Sequence, residues 1–160
     1  MKRIKKILVG MDLSEYSTLA LEYAVEIAMV SHAEIFLFNA INQRDINGLQ
    51  MASAYYPNGI DIDRYISELK TERYNEIRSV VTERFFDVKS SMSIHITVGI
   101  PFEEILNFAQ RENVDIIVIG NKGGSNISRT LFGSNAEKVF RHAKVPVLSV
   151  REPDLFIRKD

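Results

Sequence analysis

The residues best suited to chemistry lie between Asp115 and Asn135, where Gly120, Lys122, Gly123, Arg129, Gly133, Ser134 and Asn135 fall in one short run. Glycines let a ligand approach the main chain closely, a serine supplies a hydroxyl, and a helix start exposes N–H groups that have no intrahelical partner. Together with the two cations, this set describes an anion cradle, most often one for phosphate. Glycines alone would equally serve to relieve strain in a turn. The serine and the spacing favour phosphate.

The elements that must hold such a cradle can be traced outward from it. Ile116 to Ile119 is a β-branched run stopped by Gly120, which reads as a strand buried on both faces of a parallel sheet, so the loop leaves a strand's carboxyl end. The loop closes where Ala136, Val139, Phe140 and Ala143 take up helical spacing, a helix expected to run from Ser134 to about His142 with Ser134 as its cap. Upstream, Ile4 to Gly10 predicts a first strand. Asp12-Leu13-Ser14-Glu15 supplies capping residues for a helix from about Ser17 to Ser31, whose Ala20, Ala24 and Ala28 make a narrow face that can lie close to a sheet.

Glu34 to Ala40 predicts a second strand, parallel to the first across a right-handed crossover. Residues 41–61 then lose any period and hold Gly48 and Pro57-Asn58-Gly59, which suggests a variable linker, lid or binding loop. A long helix is expected from Ile62 to near Phe86, with Tyr65 and Tyr74 at the edge of the core. Ile94, Ile96 and Val98 alternate with Ser93, His95 and Thr97, so a third strand should have one wet face and lie near an edge. Pro101 suits the first turn of the next helix. Val145 to Val150 ends the pattern as a strand whose Pro146 argues for an edge. Strands alternating with helices predict an α/β domain with a mostly parallel sheet.

Composition narrows the function. A chain of 160 residues that is 46% hydrophobic can bury one core, so residues 1–160 are expected to form a single domain with a tail at 152–160. The 20 Lys and Arg nearly balance 21 Asp and Glu, which leaves no field to hold nucleic acid. Cysteine is absent, excluding disulfides and thiolate chemistry. No apolar run approaches the roughly 18–20 residues of a membrane span. A cytoplasmic protein is expected.

Gly120, two residues, Gly123, nine residues, then Gly133-Ser134 make the pattern G-x2-G-x9-G-S. With Ile7-Leu8-Val9-Gly10-Met11-Asp12, Ser14 and Ser17 at the start, Val98-Gly99-Ile100-Pro101 in the middle and Lys144 to Val150 at the end, the chain resembles the ATP-binding branch of the universal stress protein family almost end to end. The resemblance implies a doubly wound five-stranded sheet of order 3-2-1-4-5 with helices on both faces, in agreement with the two expected edges. In that order the winding reverses between the first and fourth strands, and the loops after Gly10 and Gly120 border one crevice.

The resemblance further implies that Met11 and Asp12 meet the adenine or ribose of a nucleotide, that Phe38, Asn39 and Ala40 line the adenine pocket, and that Gly120, Gly123, Gly133, Ser134 and Asn135 hold the phosphates with charge from Lys122 and Arg129. Asp12 could also simply cap a helix. Asn135 departs from the small or β-branched residue usual in the family. ATP, AMP or ADP is the expected ligand, with Mg or Mn held by the phosphates themselves. The three histidines, His32, His95 and His142, have no ligand spacing, and His142 lies roughly 13 Å along its helix from Gly133, too far for a general base. The expectation is therefore binding without efficient turnover, in a homodimer paired through Val145 to Val150. A slow ATP hydrolase or a phosphoryl- or adenylyl-transfer enzyme is the first alternative, and a protein-interaction module without nucleotide is the second.

Overall fold

The order of strands across the sheet follows from where each crossover helix returns the chain. In the computed structural model, which describes residues 3–55, 59–121 and 133–151, β1 (Lys6–Gly10) leads through α1 (Glu15–Ser31) to β2 (Glu34–Asn42). Two further helices, α2 (Gln43–Ser53) and α3 (Ile62–Arg84), and a 3-10 turn precede β3 (Met92–Gly99). The chain then returns past the sheet through α4 (Pro101–Arg111) to β4 (Ile116–Gly120), and ends with α5 (Ser134–His142) and β5 (Val147–Val150). The sheet order is β3-β2-β1-β4-β5, and every pairing is parallel.

Strands with both faces buried need apolar residues at every position, and the three central strands supply them. Ile7, Val9, Ile35, Leu37 and Val118 form one face under the alanines of α1 and under Ile77 and Val81 of α3. Leu8, Phe36, Phe38, Ile117 and Ile119 form the other, covered by Ile105, Phe108 and Ala109 of α4 and Val139 of α5. Each fully buried Leu, Ile or Val contributes about 1.5–3 kcal/mol of transfer free energy. The sheet stays in register because a slip of one residue would exchange these faces.

Several expectations change in detail. The first helix starts at Glu15, because Ser14 is its N-cap and accepts from the Ser17 N–H at 3.2 Å. The linker of residues 41–61 contains α2, capped by Asn42 and anchored by Ile46, its buried residue. That helix escapes a periodicity reading because its other positions are mainly polar and Gly48 interrupts them. The last strand begins at Val147, since Pro146 contributes its carbonyl to the Ile117 N–H but has no donor of its own. Tyr65 and Tyr74 are exposed.

The expected wet face of β3 is open at Ser93, which is exposed, and partly covered at His95 and Thr97. His95 is half-buried in an aromatic cluster, its ring 4.8 Å from Phe108 and 5.7 Å from Phe36, and its Nε2 lies 2.9 Å from the Ser93 hydroxyl. A strand at the edge of a sheet can still be partly covered on its polar face when a helix packs beside it, as α4 does here through Phe108.

Candidate functional site

The reversal of winding between β1 and β4 opens a cleft of about 300 Å³ at the carboxyl ends of the strands. That is the lower end of the usual range for small-molecule sites. Its walls come from the turn after β1, the end of β2, the beginnings of α4 and α5, and the end of β4.

After Gly10 the chain turns sharply, with Leu13 in the left-handed region at φ 67°. Asp12 shapes this turn: its carboxylate accepts from the Ser14 N–H at 3.0 Å and from the Ser14 hydroxyl. The exposed Asp12 therefore orients the residue that caps α1 rather than capping the helix itself. Met11 adds one rung to the β1–β2 ladder, donating its N–H to Phe38 O at 2.8 Å. Its own carbonyl accepts from Asn39 Nδ2 at 2.6 Å.

On the β4 side, Gly120 has a packing role beyond its expected phosphate contact. A Cβ there would stand 2.8 Å from Tyr16 Cβ and 2.9 Å from the Tyr16 carbonyl carbon and oxygen, so the first turn of α1 fits directly over the bare glycine. The next residue, Asn121, donates its N–H to Val150 O at 2.9 Å and accepts from the Gly133 N–H at 2.7 Å. The start of α5 is thus tied to β4.

One expectation changes at the start of α5, while its first residue is as expected. Ser134 is the first helical residue, and the N-cap is Gly133. The Gly133 N–H is already used, while its carbonyl accepts from Glu137 at 2.9 Å. The donors left at the helix start belong to Ser134, Asn135 and Ala136, which precede the first intrahelical bond. Positive dipole character at the start of α5 adds to their attraction for an anion.

Met11, Asp12, Phe38, Asn39, Ala40, Gly120, Gly133, Ser134 and Asn135 all line this one cleft. Lys122, Gly123 and Arg129 lie outside the described residues. Sequence reasoning missed Asn42, Pro101, Ile105 and Ile119, which complete the walls together with Gly10, Ser17, Ala136 and Val139. The spacing of Pro101 and Ile105, four apart at a helix start, was the available signal for one helical face. His142 is in the last turn of α5 with its ring 6.4 Å from Phe102, and lines a separate hollow with Lys144 and Val145. Among the described residues no group of three or more His, Cys, Asp or Glu could hold a metal ion, and no helix is long and apolar enough to cross a membrane.

A sequence model of the universal stress protein family matches residues 3–151. The universal stress protein MJ0577 of Methanocaldococcus jannaschii is 31% identical over 155 residues, spanning 92% of this chain and 94% of its own. The solved structure of MJ0577 superposes with a TM-score of 0.78 at 28% identity, over 94% of this chain and 98% of that one. The universal stress protein UspA from Lactobacillus plantarum gives a TM-score of 0.72 at 25% identity, over 94% of this chain and all (100%) of that one. A universal stress protein solved in complex with cAMP shares the fold, with a TM-score of 0.63 at 24% identity over 94% of this chain and 98% of that one.

Proposed function

The chain belongs to the universal stress protein family, and from that premise we propose that it binds an adenine nucleotide, ATP or the related AMP and ADP, at the carboxyl ends of β1, β2 and β4. The observation carrying this proposal is the convergence on one cleft of residues from three strands and a helix start, each of a type suited to a different part of such a ligand. The base lies against Phe38 to Ala40, with Ile105, Ile119 and Val139 supplying apolar wall. Asp12 is placed for the ribose hydroxyls. The phosphates lie at the main-chain N–H groups of Ser134 to Ala136, with Lys122, Gly123 and Arg129 adding to their hold from outside the described residues. A Mg or Mn ion would be carried by the phosphate oxygens, where it neutralises their charge. The family neighbour solved with cAMP supports the choice of an adenine ligand by analogy alone.

Binding without efficient turnover is the reading supported by the described residues around the proposed phosphate site. Glu137 of the first turn of α5 is paired with Arg141 at 2.8 Å, and Asp12 is bonded to Ser14. His142 is at the far end of the helix. The bound state then acts as a regulatory signal in the cytoplasm, transmitted through a homodimer along β5. Denaturing the purified protein and weighing the released small molecules by mass spectrometry tests this directly. Close to one adenine nucleotide per chain is expected. Neither a released nucleotide nor binding of added ATP, or turnover of ATP faster than about 1 s⁻¹, would overturn it.

A further inference from the structure

The β1–β2 ladder ends one rung early. In a parallel ladder alternate residues of a strand turn their N–H and C=O to the same neighbour, so Phe38, which accepts from Met11, is followed on that side by Ala40. The next rung would run from the Ala40 N–H to the Met11 carbonyl. That carbonyl is instead taken by the Asn39 side chain, through Nδ2 at 2.6 Å. Among the described residues Met11 is the last main-chain partner that β2 finds on this side.

We propose that Asn39 is a positioning residue whose amide occupies the Met11 carbonyl so that the Ala40 N–H and C=O remain open to the cleft, where they select an adenine edge. This rests on the nucleotide reading above, in which Phe38 to Ala40 line the base, and deepens it by assigning to Asn39 the task of keeping the Ala40 edge open. Adenine offers an acceptor at N1 beside a donor amine, which complements an N–H next to a C=O. Hypoxanthine offers a donor at N1 beside an acceptor oxygen, and opposes both. A site built to pair with one pattern discriminates strongly against the other, since the mismatch leaves buried polar groups unpaired.

A purely structural role explains Asn39 poorly. It is 7% exposed, on the strand face it shares with the buried Ile35 and Leu37, where an apolar residue would pack without penalty. Its Oδ1 is buried and has no hydrogen-bond partner among the described residues, so retaining the amide costs stability. What the amide supplies in return is its bond to Met11.

The test uses the full chain stripped of nucleotide, and reads amide hydrogen exchange by NMR. In the wild type the Ala40 amide should exchange at least about tenfold faster than those of Asn39 and Ile41, which face β3. In Asn39→Leu the freed Met11 carbonyl should recruit the Ala40 N–H and protect it. By calorimetry the wild type should prefer ATP to ITP by about tenfold or more, Asn39→Leu should narrow the ratio below about threefold, and Asn39→Gln, which keeps a donor, should restore it. A protected Ala40 amide in the wild type overturns the proposal even if the leucine variant fails to fold. An unchanged ATP-to-ITP ratio in a folded Asn39→Leu overturns it as well. If the wild type binds neither nucleotide, the proposed function fails and base selection with it, whatever the exchange of Ala40 shows.

Discussion

The main-chain N–H of Gly133 donates to the carbonyl oxygen of Asn121 at 2.7 Å, and Asn121 in turn donates to Val150 at 2.9 Å. These two bonds join the end of β4, the start of α5 and the end of β5 at one point. The first turn of α5 is thereby held at the mouth of the cleft, its unpaired donors fixed before any ligand arrives. Such preorganisation lowers the ordering cost of binding.

Gly120 should tolerate no side chain, because Tyr16 lies within 2.9 Å of where a Cβ would stand and the blocking atoms are its Cβ and its main chain. Gly120→Ala is expected to cost about 1–3 kcal/mol of stability, the usual range for overpacking. Urea denaturation measures this. A loss below about 0.5 kcal/mol, within the scatter of ordinary surface substitutions, would show that α1 can shift off the glycine.

This glycine also illustrates how much of the site could be read in the sequence. The pattern G-x2-G-x9-G-S located the cleft, but a pattern cannot distinguish a glycine that faces a ligand from one that admits a helix. The two edges were legible because the alternation of residues 93–98 and Pro146 report pairing locally, whereas the strand order came from the resemblance and not from any local pattern. Less legible was whatever depends on a distant partner. His95 sits in an alternating strand that looks half wet, and its cover comes from Phe108, thirteen residues later. The helix α2 was missed because one buried residue, Ile46, sets no period. Ser134 looked like a cap, yet Gly133 takes that position, its backbone extended at φ −67° and ψ 141° and its carbonyl accepting the first intrahelical bond from Glu137.

His95 should make stability depend on mildly acidic pH. Burial pushes its imidazole below the ordinary histidine value, with Glu112 opposing the shift and Arg111 adding to it. Protonation is then harder in the folded protein than in the unfolded chain, which binds more protons as pH falls. The contribution of His95 is intact above the unfolded value of about 6.5, declines as pH drops from there through the depressed folded value, and levels off below it. Unfolding free energies between about pH 7.5 and 5 should fall, and His95→Gln should reduce the slope. An NMR titration midpoint for His95 at or above the ordinary value would contradict this.

Among the described residues no strand pairs with the outer edge of β5, and this edge is where the proposed dimer should form. Pro146 and Val150 turn their carbonyls to β4, so Val147 and Ser149 direct their main-chain groups outward. An edge with no partner strand among the described residues invites pairing with a second copy. Analytical ultracentrifugation should find twice the chain mass of 18.3 kDa. Ser149→Pro, which deletes one outward donor and leaves the β4 ladder in place, should shift the protein to the monomer. A dimer unaffected by that substitution would place the interface elsewhere.

The nucleotide site itself is tested most directly by calorimetric titration of the stripped protein with ATP, beside Gly133→Val as the control. A side chain at position 133 would intrude on the phosphates while leaving the N–H bond to Asn121 in place. Saturable binding near one ATP per chain is predicted for the wild type, with affinity lowered by about tenfold or more in a Gly133→Val variant that still melts cooperatively. No saturable binding by the wild type up to about 1 mM ATP, or equal affinity in the two proteins, would contradict a phosphate cradle at the start of α5.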